Sequence, residues 1–515
     1  MDAYKLYLMS VSSNNKRIAK NTLFLYFRMM FIMLITLYTS RVVLDKLGIV
    51  DYGINNVVGG LAGMFTFFSS SLANASQRFL NIELGKKNII GAKRVFNQHL
   101  VIYLCFIGGV LLLAETIGLW FVLNKLVIPQ DRLVASLWVY QLTIISLCVT
   151  LLGIIFNSVI IAHEEMKVYS YVGIYEGVAK LAIAFIISFA PFDRLICYAI
   201  LLLFVTLSTQ FFYAYHCFKK YQECRLDLHW EQKAFKETLP LISWNLVGTA
   251  VYAINHQGTN LLLNMYFGPV VNAARAVSLQ INNAISNFGT SFYTSVRPQI
   301  TKSYAAGDYE YMNKLFFYSS KYSVFLLWML CLPVMLNIDQ ILSIWLVAVP
   351  EYTSVFTIWI LAYSMVDILN NPIWSIALSI GKLKKYIMIG SGVFLSAFPI
   401  SYVCLEMGAS PTSVFIVLFA VRIIYLFVVI KIIRSYISFS IKEYFNQVIS
   451  RSLGVVFVSG ALSYMISSFI PQTFAGLILN ITLCLFTIAL VTWTLGLNSS
   501  ERKQVFSLVK NKIKL

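Results

Sequence analysis

Stretches of about 20 apolar residues, the length that crosses a bilayer as a helix, recur along this chain from one end to the other. A lone run of that kind fits a buried core, whereas an unbroken series is a membrane bundle. The apolar segments fall at 21–44, 54–76, 98–123, 136–162, 171–190, 195–216, 239–266, 270–295, 316–338, 353–380, 386–405, 412–434, 451–470 and 475–496. Loops between them are short, and none has room for a folded extramembrane domain. Composition agrees: 59% of the 515 residues are hydrophobic and 12% are charged, where a soluble chain carries about 25% charged residues. The mean hydropathy is +0.75. The pattern predicts an all-α polytopic membrane protein with about fourteen transmembrane helices.

The net charge of +18 would suggest nucleic acid in a soluble protein. In a membrane protein the first account is that Lys and Arg gather in cytoplasmic loops. With the N-terminus in the cytoplasm, the inner side receives Lys16, Arg17, Arg78, Lys86, Lys87, Lys219, Lys220, Arg297, Lys302, Lys384, Lys385 and the basic tail. The outer side receives only Arg41, Lys46, Lys125, Arg132 and Arg194, beside acidic residues such as Asp51, Asp131, Asp193, Asp339 and Glu351. This bias predicts that both termini are cytoplasmic and that nucleic acid is no partner. It also checks the helix count, because one missed helix would misplace every later basic loop. The first twenty residues are polar and basic, without the apolar core of a cleaved signal. The eight cysteines include no C-x-x-C pair and mostly lie in apolar runs, which predicts buried thiols and no metal site.

A weak internal repeat runs through the chain. Leu47-Gly48 pairs with Phe267-Gly268, Gln77-Arg78 with Arg297-Pro298, Trp120 and Pro129 with Trp345 and Pro350, and Asn157 with Asn371. Six helices per repeat is an even number, so both halves start on the same side. Their relating axis is then expected along the membrane normal, as in parallel-repeat transporters. The expected organisation is an N-terminal lobe at 1–216, a cytoplasmic linker at 217–238, a C-terminal lobe at 239–434, and two accessory helices with a tail at 435–515. Two six-helix lobes with a site between them is the plan of an alternating-access transporter.

Polar groups at membrane depth usually face protein or a hydrated cavity. Asn245, Thr249, Tyr252, His256 and Asn260 step by three or four residues along the seventh segment, and so share a helical face. On the eighth, Gln280, Asn283, Asn287 and Thr290 share a face, with Arg275, Ser278, Asn282 and Ser286 beside it. Any one amide is best read as interhelical glue; two adjacent helices this polar predict a hydrated cavity. Charged residues at depth are few: Arg28, Glu176, Lys180, Arg275, Asp367 and Arg422. Glu176 and Lys180 are spaced to neutralise each other. Arg28 either snorkels to the interface or lines the cavity. Asp367, followed by Asn370-Asn371-Pro372, has two readings of equal weight: an unpaired carboxylate that carries a proton, or one paired with a base on another helix. A cavity built from Arg28, Arg275, Arg422, His256 and amides suits an anionic, hydroxyl-rich ligand, since phosphate takes charge-assisted bonds from Arg and sugar hydroxyls bond to amides.

The run Ser40-Arg41-Val42-Val43-Leu44-Asp45-Lys46-Leu47-Gly48-Ile49-Val50-Asp51-Tyr52-Gly53-Ile54 resembles the helix 1–2 junction of polysaccharide exporters, the lipid-linked oligosaccharide flippases of the multidrug/oligosaccharidyl-lipid/polysaccharide (MOP) superfamily. The segment Pro298-Gln299-Ile300-Thr301-Lys302-Ser303-Tyr304-Ala305-Ala306-Gly307-Asp308 resembles the loop after helix 8 of the same family. The resemblance implies a flippase of the bacterial inner membrane. Its substrate would be an undecaprenyl-diphosphate-linked repeat unit, moved to the periplasmic leaflet for O-antigen or capsule assembly, with a polymerase and a chain-length regulator as partners. It implies no cofactor beyond coupling to Na⁺ or H⁺, for which Asp367 and His256 are the candidates. Cationic residues of helices 1 and 8 line the cavity in relatives; Arg28 and Arg275 stand in those helices here. Two rivals come from other classes. A membrane-embedded polymerase or glycosyltransferase would need a large outer loop with a charged cluster, and a cation-coupled drug exporter would need a cavity dominated by acids.

Overall fold

The computed structural model describes residues 2–227, 232–381 and 383–503, and the side chains of all of these except 2–29, 66–68, 70, 232–248, 290–292, 294, 295 and 383. Among the described residues there is no strand. Ten helical stretches among the described residues are long and apolar enough to cross a membrane, and each coincides with one of the fourteen expected segments. The other four segments, 21–44, 54–76, 239–266 and 270–295, are helical throughout. Large apolar side chains such as Leu112, Phe204, Phe457 and Phe486 stand exposed along the spans, as expected where the solvent is lipid.

The chain forms two compact units, Met1–Ala273 and Ala274–Leu515. The first contains α1 (Asp2–Gly63), α2 (Phe67–Gly85), α3 (Ile89–Leu113), α4 (Leu119–Asn124), α5 (Leu133–Ala162), α6 (Met166–Ile186), α7 (Arg194–Lys220) and α8 (Gln232–Phe267), and it ends in the first turn of α9 (Pro269–Ala305). Helix α1 is two helices meeting at Gly48, whose φ of 80° departs from the helix. That left-handed conformation favours glycine. Within this unit α5 packs on α7, α1 on α6, and α2 on both α5 and α8. Arg132 ties one end together, bonding Asp51 (2.8 Å) and Asp193 (2.5 Å), while Asp193 also caps α7 through the Leu195 and Ile196 amides.

The second unit continues α9 and adds α10 (Tyr309–Leu336), α11 (Ile338–Trp345), α12 (Thr353–Asp367), α13 (Asn370–Ile380), α14 (Leu383–Leu395), α15 (Ala397–Glu406), α16 (Ser413–Arg434), α17 (Ile441–Tyr444), α18 (Arg451–Ser467) and α19 (Phe474–Val491). Helix α16 packs on α12, α14 and α15, and the C-terminal pair α18 and α19 packs on α10. Of these ten spans, α10 is accordingly the most enclosed. Proline lacks an amide hydrogen and its ring crowds the carbonyl four residues back; for Pro372 that carbonyl belongs to Ile368, where α12 and α13 are separated.

The internal repeat has a backbone counterpart. Gly48 and Gly268 both take φ near 80° (80° and 76°), each between two helices. Lys87 and Gly307 are both left-handed, and the next residues, Asn88 and Asp308, cap α3 and α10 by accepting from the amide three residues on, each at 3.0 Å. Glu164 and Gly381 are a third left-handed pair at a similar offset. The two compact units part between Ala273 and Ala274, so α8 and the 217–238 segment both belong to the first. The start of that linker is docked: Asn97 of α3 donates to the Arg225 carbonyl (3.0 Å) and accepts from the Asp227 amide (2.6 Å).

Candidate functional site

Arg28, Asn245 and Thr290 lie outside the residues whose side chains are described. The remaining residues of the α8 face divide by use. Thr249 meets Ser71 of α2 at 3.5 Å. Tyr252 is 59% exposed, and its ring stacks on His256 with centroids 5.9 Å apart. Asn260 is buried in an amide knot. It donates to the Asn56 carbonyl (3.0 Å), and its carbonyl and side-chain oxygens both accept from Asn272 (2.7 and 2.9 Å). Asn264 donates to Asn272 (3.1 Å) and accepts from the Val127 amide (2.9 Å). The knot therefore closes α1, the loop after α4, α8 and the start of α9. It also needs Gly60, where a Cβ would stand 2.7 Å from the Asn260 amide nitrogen. Asn260 thus acts as glue between helices, and the reachable part of the α8 face narrows to Tyr252 and His256.

Helix α9 shows the same division within the second unit. Ser278 donates to the Thr353 carbonyl (3.0 Å) and accepts from Thr357 (3.0 Å), and Asn282 accepts from Ser364 at 2.6 Å. That face is sewn to α12. The neighbouring face holds Gln280, half-buried, and Asn283 and Asn287, both exposed. Arg275 is buried, at 5% exposure.

Asp367 takes the second of its two expected arrangements: it forms an ion pair with Arg422 of α16. The guanidinium is enclosed by rings, 4.3 Å from the Tyr425 centroid, 5.2 Å from Phe394 and 5.8 Å from Tyr363. The carboxylate side is open, with the Asp367 side chain 42% exposed against 10% for Arg422. Nearby, Tyr386 donates to Asn370 (2.7 Å) and Tyr425 to Tyr386 (3.4 Å). The arrangement is a cation fixed in an aromatic box whose counter-ion faces outward, so that the pair can be opened from one side. Glu176 and Lys180 form the expected i, i+4 pair at 2.6 Å.

Three polar clusters escape a reading of the sequence. Lys321 of α10 donates to both carboxylate oxygens of Glu501, at 2.6 and 2.7 Å, with the two side chains 2% and 1% exposed. Glu501 also accepts the Asn498 amide at 2.6 Å, so Asn498-Ser499-Ser500-Glu501 carries the reciprocal half of a capping box. That motif is a local signal; the partner lysine is 180 residues away. His99 is buried in α3, against the Val95 carbonyl at 2.8 Å. At the α6 and α7 ends, Glu165 accepts from His216 (2.8 Å) and pairs with Lys220, and Glu223 pairs with His163, which stacks on Tyr221 at 4.0 Å. Burial works against ionising Glu165 and Glu223, but hydrogen bonds from Lys220 and His216 to the first, and from His163 to the second, hold both carboxyls below the usual range.

No protein-family model and no curated protein matches this sequence. Solved structures do. The lipid II flippase MurJ in an inward closed conformation superposes with a TM-score of 0.67 at 15% identity, over 92% of this chain and 99% of that one. An inward-facing multidrug resistance MATE family transporter of the MOP superfamily gives 0.65 at 12% identity, over 79% and 97%. A MOP superfamily transporter from Pyrococcus furiosus, described by the reverse polarity of its binding pocket, gives 0.52 at 14% identity, over 81% and 95%. Each of these proteins is matched over at least 95% of its own length, and the chain has the all-α, multi-span fold that they share.

Proposed function

We propose that this protein is a flippase that carries undecaprenyl-diphosphate-linked oligosaccharide units from the cytoplasmic to the periplasmic leaflet of a bacterial inner membrane by alternating access. The observation that carries this reading is the extent of the match to MurJ. A superposition over 92% of the chain has to run past Arg434 into the C-terminal helices, whereas one over 79%, as with the MATE transporter, need not. The lipid II flippase thus matches more of this chain than the MATE transporter does. The chemistry of the reachable side chains is compatible with it. Gln280, Asn283 and Asn287 of the second unit offer amides to sugar hydroxyls and Tyr252 and His256 of the first offer ring faces, while Arg422, enclosed by rings, would meet a diphosphate only by exchanging Asp367 for it. O-antigen or capsule assembly is the pathway this substrate would serve, with a polymerase and a chain-length regulator downstream.

One observation favours a second reading, a cation-coupled small-molecule exporter. The outward-facing Asp367 carboxylate is a group on which Na⁺ or H⁺ can compete with Arg422. The same competition would couple a flippase to either ion, with His256 as the other titratable candidate. Deleting the gene in its own host and locating labelled lipid-linked glycans by leaflet separates the two. Complete, unpolymerised units trapped on the cytoplasmic side are expected of a flippase. Units that still reach the periplasm in a host without a redundant flippase would refute it and leave the exporter to be tested.

A further inference from the structure

We propose that the second unit holds a phospholipid headgroup site, selective for a primary ammonium, at the membrane boundary shared by three of its spans. A cavity of about 520 Å³ opens there. Its walls come from the first turns of α10, from the segment that leads through α17 into α18, and from Asn498 and Ser500 just beyond α19. All three elements lie at or just beyond the ends of spans long and apolar enough to cross the bilayer, Tyr309–Leu336, Ile441–Ser467 and Phe474–Gly496. The cavity therefore sits where lipid headgroups sit, and is separate from the residues assigned above to transport.

The lining is acidic. Lys314 bonds Glu310 at 2.7 Å, Gln447 bonds Glu443 at 2.7 Å, and the Asn313 amide nitrogen bonds the Ser438 carbonyl at 3.0 Å. The first two bonds each use one carboxylate oxygen and leave the second to a ligand. The side-chain oxygens of Asn313 and Asn498 are buried without a partner among the described residues. Two carboxylates against one lysine leave the lining negative. Phe317 and Phe439 pack edge to face with centroids 6.4 Å apart, and both line the cavity.

An ammonium answers each of these features. It brings three donors and no acceptor, its charge opposes the surplus carboxylate, and it is attracted to aromatic faces. An anionic headgroup without an amine would meet the carboxylates unfavourably. A choline headgroup keeps the charge but has no N–H to donate. A phosphoethanolamine headgroup satisfies both ends, with its ammonium inside and its phosphate near Lys314 at the rim.

The test uses the full chain purified in detergent, with thermal unfolding followed as short-chain phosphatidylethanolamine, phosphatidylcholine or phosphatidylglycerol is added, and with soluble phosphoethanolamine as a further arm. Phosphatidylethanolamine is expected to stabilise at the lowest concentration and phosphatidylglycerol at the highest. The double substitution E310Q/E443Q is expected to weaken the phosphatidylethanolamine response about threefold to tenfold and to strengthen the phosphatidylglycerol response, because the repelling carboxylates are gone. Should the double variant fail to fold, E310Q alone, at a side chain 82% exposed, is expected to give part of that loss. Equal responses to phosphatidylethanolamine and phosphatidylglycerol, or selectivity that survives the substitutions, would overturn the proposal. A response to soluble phosphoethanolamine at the same concentration as to the lipid would replace the headgroup with a free amine.

Discussion

Lys321–Glu501 and Asp367–Arg422 are both ion pairs of the second unit, formed by residues that a bilayer disfavours, and they are built differently. The first is sealed. Both its members are almost wholly buried, the carboxylate takes two bonds from the lysine, and a third donor comes from the Asn498 amide. The second is lopsided, with its cation enclosed by aromatic rings and its carboxylate half open. A buried pair contributes through geometry and is strongly destabilising to break. A pair with one exposed member can exchange its counter-ion for another ligand. The contrast assigns Lys321–Glu501 to holding the C-terminal helices on α10, beside the Trp328–Ser459 and Asn480–Asn337 bonds, and leaves Asp367–Arg422 as the pair open to exchange on its carboxylate side.

Breaking the sealed pair is expected to have the largest effect. Lys321→Ala leaves Glu501 buried without its cation and is expected to lower stability by about 3–5 kcal/mol. The charge-reversed K321E/E501K is expected to recover part of that loss, as read by thermal unfolding in detergent. Recovery would show that the pairing matters more than either residue's size. Asp367→Asn keeps a hydrogen-bond acceptor for Arg422 and is expected to cost only about 1–2 kcal/mol. Its transport defect should be out of proportion to that loss, and transport with an unchanged ion dependence would end the coupling hypothesis. If Asp367→Asn destabilised as much as Lys321→Ala, the distinction between the pairs would fail.

Between these lies the neutral knot of the first unit. Asn260→Ala removes bonds to Asn56 and Asn272 and is expected to cost about 1–2 kcal/mol, because interhelical amide bonds in membranes are individually weak. The smallest effect concerns pH. Glu165, held below its ordinary value of 4.5 by Lys220 and His216 despite its burial, contributes stability that is complete at neutral pH. That stability is lost as pH falls below about 4.5 and through the folded value. Hydrogen exchange at the ends of α6 and α7 should accelerate over that acid range in the native chain and lose this step in Glu165→Gln.

Particular residues show how far the sequence reaches. The fourteen apolar segments lead to helices in every case, because in lipid a spanning segment must satisfy its own backbone, and that requirement is written locally. The pairing of Leu47-Gly48 with Phe267-Gly268 was legible because a left-handed turn between helices favours glycine at both places. The polar face of α8 was legible as a face, from its spacing. Its division into glue at Asn260 and reachable rings at Tyr252 and His256 was not, because spacing locates a side chain around its own helix and says nothing of what packs against it.

The sequence by itself determined that this chain is a bundle of membrane helices with an internal repeat, since length, hydropathy and turn chemistry act over a few tens of residues. Only the tertiary structure decided which buried polar groups meet. Glu501 announces a helix start through Asn498, but its cation lies on α10; Asp367 shows no base nearby, and Arg422 reaches it from α16. Charge in a low-dielectric interior has to be answered by whatever lies within a few ångströms in space, and that neighbour is fixed by packing, not by distance along the chain.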